Sequence, residues 1–382
     1  MEWKDWRVRL TAIVIVAVLA VAAYAVYAAQ YQRKAKAALV IYTYDSFFEY
    51  GDNASAAQAF VFDTFAKAHG IELDVRRYGS SGEVLQALVL ERANPIADVV
   101  LGLTNLNGLL AKQEGVLAPG APEVSLGVLE PGLADALDPE HVLVPFEYSY
   151  LAFDYDRQYL NESVYPELGA LMFEDITANP ALARALILGS PMTSSSGLSF
   201  LLWNKAYWEK EHPGEPWWQW WADLYNATDQ DVNTAGGWGE AFGLFYDRPA
   251  GPNYHLLVSY AADAAYGFSF GGEAPWFGTT LIRNTTGTIL GWQEIQGMAV
   301  VNGTEHRELA EAFLAWMLSN AVQSLIPMNE WVYPASHIAG SFLEFPYSID
   351  PATVVPLNAF ISAEEIASSL EDWIETWAEV TT

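Results

Sequence analysis

The chain has 382 residues, 52% hydrophobic and 14% aromatic, with 18 basic against 47 acidic side chains and a formal net charge of -29. Beyond an N-terminal anchor that length exceeds the roughly 250–300 residues at which a single core stops growing, so two lobes are expected of a composition that is otherwise globular. Scattered Lys and Arg exclude nucleic acid as a partner, and the lack of any cysteine excludes disulfides, Cys-ligated zinc, iron-sulfur clusters and thiol catalysis.

The run from Leu10 to Ala29 carries no charge and is long enough to span the roughly 30 Å hydrocarbon core. It reads as an uncleaved signal-anchor; a cleaved signal peptide is the alternative, with only a weak cleavage site before Gln30. Lys4, Arg7 and Arg9 on one side balance Arg33, Lys34 and Lys36 on the other, so flanking charge does not orient the helix. Asn-x-Ser/Thr triplets at Asn53, Asn161, Asn226, Asn284 and Asn302 would be glycosylation acceptors if the rest of the chain lies outside. The acidity fits adaptation to salty or acidic surroundings, and equally the attraction of a cationic ligand.

After the linker Gln30 to Lys36, the β-branched and aromatic run Ala38 to Tyr44 predicts a buried strand and Ala56 to His69 a helix stopped by Gly70. Ile71 to Val75 alternates as a second strand. The turn Gly79-Ser-Ser-Gly82 leads into a helix over Val84 to Arg92, and Ala97 to Leu101 is a third strand closed by Gly102. This order predicts a parallel sheet whose strand ends, Tyr44 to Ser46, Tyr78 to Gly82 and Gly102 to Asn105, converge on one cleft. Val142 to Phe153 is a long extended run that could leave the first lobe for a second, and Thr288 to Val301 one that could return. Between them lie the Ser190 to Ser199 turn and the Trp217-Trp-Gln-Trp-Trp221 cluster. Glu305 to Leu318 is an amphipathic helix.

No nucleophile elbow, zinc helix, phosphate-cradling loop or dinucleotide fingerprint is present, and the six histidines are dispersed. Thr193-Ser-Ser-Ser-Gly197 before an apolar helical run could present donors to an anion or be an ordinary cap. Tyr44, Tyr50, Trp238, Tyr260, Tyr266 and Trp331 sit near loops or element ends rather than inside a periodic face.

Six motifs occur in a fixed order: Tyr42-Thr-Tyr-Asp-Ser-Phe47, Ala97-Asp-Val-Val-Leu-Gly-Leu103, Val144-Pro-Phe-Glu-Tyr-Ser-Tyr-Leu-Ala-Phe-Asp-Tyr-Asp156, Gly237-Trp-Gly-Glu-Ala-Phe-Gly-Leu-Phe245, Ser259-Tyr-Ala-Ala-Asp-Ala-Ala-Tyr266 and Asn329-Glu-Trp-Val-Tyr-Pro334. Together they resemble the thiamine-binding proteins of bacterial ABC importers, from about Leu39 to beyond Pro334. The resemblance implies an α/β, two-lobed type II periplasmic-binding-protein fold, with a hinge of two crossover strands after the N-terminal transmembrane helix. It implies ligand contacts from Tyr44, Ser194, Trp238, Tyr260, Tyr266 and Trp331, with Tyr50 where relatives carry a tryptophan. Ser80, in the Gly79 to Gly82 turn, joins this set, as does Asp263, whose spacing between the paired tyrosines would put a carboxylate near a cation. Two departures stand out: Thr104 replaces an aspartate, and Ser190-Pro191-Met192 replaces Asp-Pro-Arg, which should weaken recognition of a phosphate.

The resulting expectation is a monomeric binding protein, held on the membrane with its C-terminal domain outside, that captures thiamine or a thiamine phosphate and hands it to an ABC permease and its ATPase. It uses no cofactor or metal, and makes or breaks no bond. Ferric iron or polyamine binding on the same fold, or an enzyme or surface receptor reusing it, are the alternatives. Expected bounds are an anchor and linker over 1–37, a first lobe over 38–146 and 290–338, a second over 147–289, and a C-terminal segment, 339–382, on the second lobe.

Overall fold

In the first lobe, β1 (Ala37–Tyr44) lies between β2 (Glu72–Tyr78) and β3 (Val99–Thr104), parallel to both. The computed structural model describes residues 37–51, 53–160, 163, 165, 168–169, 171–247, 254–266, 275–337 and 347–382. The helix expected over 10–29 and the triplet at Asn161 lie outside the described residues. Among those described, no single helix is long and apolar enough to cross a membrane.

The remaining strands are β4 (Val144–Asp156), β5 (Leu186–Gly189), β6 (Thr234–Ala235), β7 (Leu256–Tyr260), β8 (Phe277–Thr280), β9 (Ile289–Gly291), β10 (Gln293–Val300), β11 (Tyr333–Pro334) and β12 (Val354–Pro356). The main helices are α1 (Ala54–His69), α2 (Ser81–Glu91), α3 (Asn105–Gln113), α4 (Ser195–Glu211), α5 (Gln219–Ala227), α6 (Trp238–Tyr246), α7 (Arg307–Met317) and α8 (Ala363–Val380). One sheet runs through both lobes in the order β2-β1-β3-β10-β4-β7-β5-β6, with β8 and β11 also pairing with β4. β10 is antiparallel to both neighbours, as a strand returning from the far lobe must be.

Two large apolar cores flank this sheet, with a smaller third around Phe245, Leu257 and Phe277. Ile41, Leu101, Phe146, Phe313 and Met317 belong to the first, and Phe153, Trp203, Trp220, Trp221 and Trp377 to the second. β4, buried along its whole length, contributes to both: Tyr148, Tyr150 and Ala152 to the first, Leu151, Phe153 and Tyr155 to the second. The period-two alternation of a strand lets one segment serve two cores. The sequence predicts two crossings. The structure adds a passage into the first core just past β7, from Val258 to Ala261, with the chain back in the second core by Ile282, and a further one between Val354 and Leu357. The first starts in the turn after β7 and the last runs along the three-residue strand β12, so no long extended run announces either.

β3 differs from expectation, running on to Thr104 rather than ending before Gly102. Gly102 has a φ of 97°, and a Cβ there would lie 2.3 Å from Cδ1 of Tyr44. The glycine lets the strand pass against the Tyr44 ring instead of stopping it. At the far end of the molecule α8 buries Ile366, Trp373 and Trp377 in the second core. Lys205 of α4, 3% exposed on its side chain, bonds Glu209 and Glu365 and lies 4.4 Å from the Trp373 ring.

Candidate binding cleft

The carboxyl ends of β1, β2 and β3 bring Tyr44 to Ser46, Gly79 to Ser81 and Thr104 to the mouth of a cleft of about 690 Å³. The second lobe supplies Thr193 to Ser196 at the start of α4, Gly237 to Gly239 and Phe242 around the start of α6, and Tyr260, Asp263 and Tyr266 after β7. All nine residues singled out from the sequence, Tyr44, Tyr50, Ser80, Ser194, Trp238, Tyr260, Asp263, Tyr266 and Trp331, line this one cavity. No described residue lining it is Lys, Arg or His.

The aromatic side chains form walls, with Tyr44 and Trp331 also packed into the first core. The Tyr50 ring stands edge-on to Trp238 and Tyr266, each 6.4 Å away, and Tyr266 is edge-on to Trp331 at 5.2 Å. Trp238 packs on Phe242 at 5.0 Å and faces Tyr260 at 6.1 Å. Trp331 holds a left-handed φ of 55°, a conformation that costs a non-glycine residue about 1 kcal/mol or more. Its indole N–H donates to the Tyr50 carbonyl at 3.1 Å, while the Tyr50 N–H donates to the Asn329 carbonyl at 3.2 Å. The two loops hold each other in place.

Trp238 is held by a relay. Its indole N–H donates to Ser259 Oγ at 2.9 Å, the Ser259 hydroxyl donates to Asp263 Oδ2, and the Tyr260 N–H reaches the same oxygen at 3.3 Å. Burial raises the Asp263 carboxyl above the usual carboxylate range, and these donors partly restrain it. Asp154 beneath it is raised further, by burial and then by the charge of Asp263. Asp263 reaches the cleft as expected, yet the oxygen that takes these hydrogen bonds orients Trp238.

Acid groups the sequence reading missed make the floor. Tyr44 OH lies 2.8 Å from Glu147 Oε1 and 3.2 Å from Glu330 Oε2, and the Phe48 N–H donates to Glu330 Oε1. One phenolic proton serves one acceptor, so a proton on a carboxyl completes the set. Burial raises both carboxyls, Glu330 also through the charge of Glu147. Glu294 accepts from Ser199 Oγ at 2.8 Å and Tyr260 OH at 3.0 Å, and burial raises it too. A signal was present: Glu147 is the one acid inside the apolar run Val142 to Phe153, with Ser149 two residues on.

Helices α2, α3, α4 and α6 all begin at the cleft. Ser80 Oγ caps α2 through Glu83 N–H at 3.2 Å, Thr104 Oγ1 caps α3 through Asn107 N–H at 3.2 Å, and Ser194 Oγ caps α4 through Gly197 N–H at 3.3 Å. Ser80 and Ser194 are therefore caps as well as lining groups, and their positive helix ends offset part of the acidity.

Comparison with known proteins agrees with this architecture. The thiamine-binding periplasmic protein of Escherichia coli (strain K12) is 28% identical over 344 residues, 90% of this chain and 93% of that protein. The thiamine-binding periplasmic protein of Brucella abortus biovar 1 (strain 9-941) is 28% identical over 350 residues, 91% of this chain and 93% of that protein. A solved structure described as a periplasmic thiamin binding protein matches with a TM-score of 0.71 and 26% identity, over 90% of this chain and 96% of its own. The ferric binding protein from Campylobacter jejuni, with a TM-score of 0.65, 16% identity and coverage of 90% and 99%, shares the fold alone. These likenesses make the fold that of a two-lobed periplasmic binding protein. With residues 50–324 matching the family described as bacterial extracellular solute-binding protein, well over half its length, the chain belongs to that family.

Proposed function

We propose that the chain is the extracytoplasmic substrate-binding component of an ABC importer and that its ligand is thiamine, delivered to a permease and its cytoplasmic ATPase. The observation that carries the reading is one cleft with aromatic walls, buried acids in its floor and, among the described residues, no basic side chain. Thiamine joins a flat aminopyrimidine to a cationic thiazolium. Rings such as Tyr50, Trp238, Tyr266 and Trp331 can stack on the first and attract the second, by about 0.5–2 kcal/mol per favourable contact. Tyr44, Tyr260, Ser80, Ser194 and Asp263 complete the binding set in this reading. A ligand touching both lobes stabilises the closed form through contacts that exist only on closure. No bond is made or broken.

Residues 10–29 tether the protein, which works as a monomer, to the outer face of the membrane. Ferric iron fits less well, because the Tyr44 and Tyr260 hydroxyls already bond glutamates. A polyamine would favour a slot of exposed carboxylates over aromatic walls. Isothermal titration of residues 37–382 with thiamine, thiamine monophosphate, spermidine and ferric citrate tests the proposal. Thiamine should give the strongest binding, and no heat with either thiamine species would sink it.

A further inference from the structure

The cleft floor is made by two strands that cross between the lobes. On paired β4 and β10, Gln296 stands opposite Glu147 and Glu294 opposite Ser149. Residues two apart on a strand share a face, and directly opposed side chains have Cβ atoms about 4.5–5.5 Å apart. All four therefore form one polar patch, and all four line the cleft. A register shift follows directly at Gln296 and Gly297, the kind of bulge that re-aims a side chain.

Three atoms of this patch are buried with no hydrogen-bond partner among the described residues: Glu147 Oε2, Ser149 Oγ and Gln296 Oε1. Glu147 is 2% exposed and Ser149 3%. Buried polar atoms are nearly always paired, because leaving one unpaired forfeits its hydration without compensation. The other Glu147 oxygen already bonds the Tyr44 hydroxyl at 2.8 Å, and both Glu294 oxygens are bonded. The three residues that carry the open atoms all line the cleft.

We infer that Glu147, Ser149 and Gln296 form a polar subsite that reads the amino-substituted edge of a heteroaromatic ring, where an N–H donor sits beside a ring-nitrogen acceptor. Gln296 Oε1 accepts from the exocyclic amine. Glu147, which burial holds towards its protonated form, donates from Oε2 to the ring nitrogen. Ser149 can serve either partner. This inference rests on the thiamine reading and deepens it: the aminopyrimidine edge meets the hinge strands, and the thiazolium lies among the aromatic walls. Specificity then comes from the floor, because a site with buried polar groups rejects an analogue that leaves them unpaired.

The test compares thiamine with oxythiamine by isothermal titration at pH 6.5. Oxythiamine keeps the thiazolium and the flat ring but reverses the order of donor and acceptor along that edge. The wild-type protein should prefer thiamine by about 10- to 100-fold. Gln296→Met and Glu147→Met, changes close to isosteric that remove the acceptor and the donor, should each shrink the preference, Gln296→Met to within about threefold. Since both ligands are measured on the same variant, partial misfolding cancels from the ratio. Equal wild-type affinities, or a preference unchanged in both variants, would overturn the subsite while leaving thiamine as the ligand. No binding of either by the wild type overturns the thiamine reading, and the subsite with it.

Discussion

Ser259→Ala would cut the link between Trp238 and Asp263. The side chain is wholly buried, accepts the indole N–H at 2.9 Å and donates to Asp263 Oδ2. Removing it leaves the indole N–H without its acceptor and deprives the carboxyl of a donor. Each such bond is worth about 0.5–1.5 kcal/mol net, so a wall that loses both should bind thiamine more weakly by about 1–2 kcal/mol, roughly 5- to 30-fold. Asp263→Ala removes the acceptor at the other end of the relay and should lose a similar amount, and the double variant should lose scarcely more than either single one. Fluorescence would not isolate Trp238 among 15 tryptophans, so titration calorimetry is the suitable assay. Ser259→Thr keeps the hydroxyl and should restore most of the affinity. If the two losses instead add fully, Asp263 acts on the ligand independently of Trp238 and the relay is wrong, since additivity is the behaviour of uncoupled sites.

Gly102→Ala would combine a φ of 97° with a Cβ 2.3 Å from the Tyr44 ring. It should lower stability by about 2 kcal/mol or more and displace Tyr44 from the cleft, which urea unfolding and thiamine titration would show together. For pH, burial raises Glu147 from the ordinary 4.5 to about 8 and also raises Glu330. The folded state then holds more protons than the unfolded one across that window, so stability should fall as pH rises from 4.5 towards 8, by up to about 1.4 kcal/mol per unit for each group. Urea midpoints at pH 5, 6.5 and 8 should decline in the wild type and decline less in Glu147→Gln. Lys205→Ala removes the buried ammonium that ties α4 to Glu365 and Trp373. Hydrogen exchange should show α8 losing protection before the first lobe does, with a global cost of about 1–3 kcal/mol.

The legible part of this protein lay in its periodicities. The alternation of strand and helix between Ala38 and Leu101 fixed three parallel strands because each apolar run is bounded by a turn residue, and the cleft followed from where those strands end. The aromatic residues were found because each interrupts a pattern. Tyr50 and Trp331, for example, belong to no apolar face. Context defeated the rest. Gly102 reads locally as a stop and is instead a point of contact with a side chain 58 residues earlier in sequence. Glu294 and Gln296 lie inside a run that reads simply as extended, and only its pairing with β4 puts them beside Ser149 and Glu147. The tryptophan cluster at 217–221 drew notice as aromatic, yet Trp220 and Trp221 are wholly buried in the second core, far from any ligand role.

β4 gives the molecule an indivisible axle. Its 13 residues are buried throughout and serve both cores, with Glu147 and Ser149 turned to the cleft floor, so neither lobe exists as a transferable module. A chimaera that borrows one lobe from a relative would carry half of a strand fitted to the wrong partner. Changing ligand preference in this scaffold therefore has to proceed through side chains that face the cleft, on the loops, the helix starts and the floor positions Glu147, Ser149 and Gln296, while the core-facing residues of β4 stay with their two native cores.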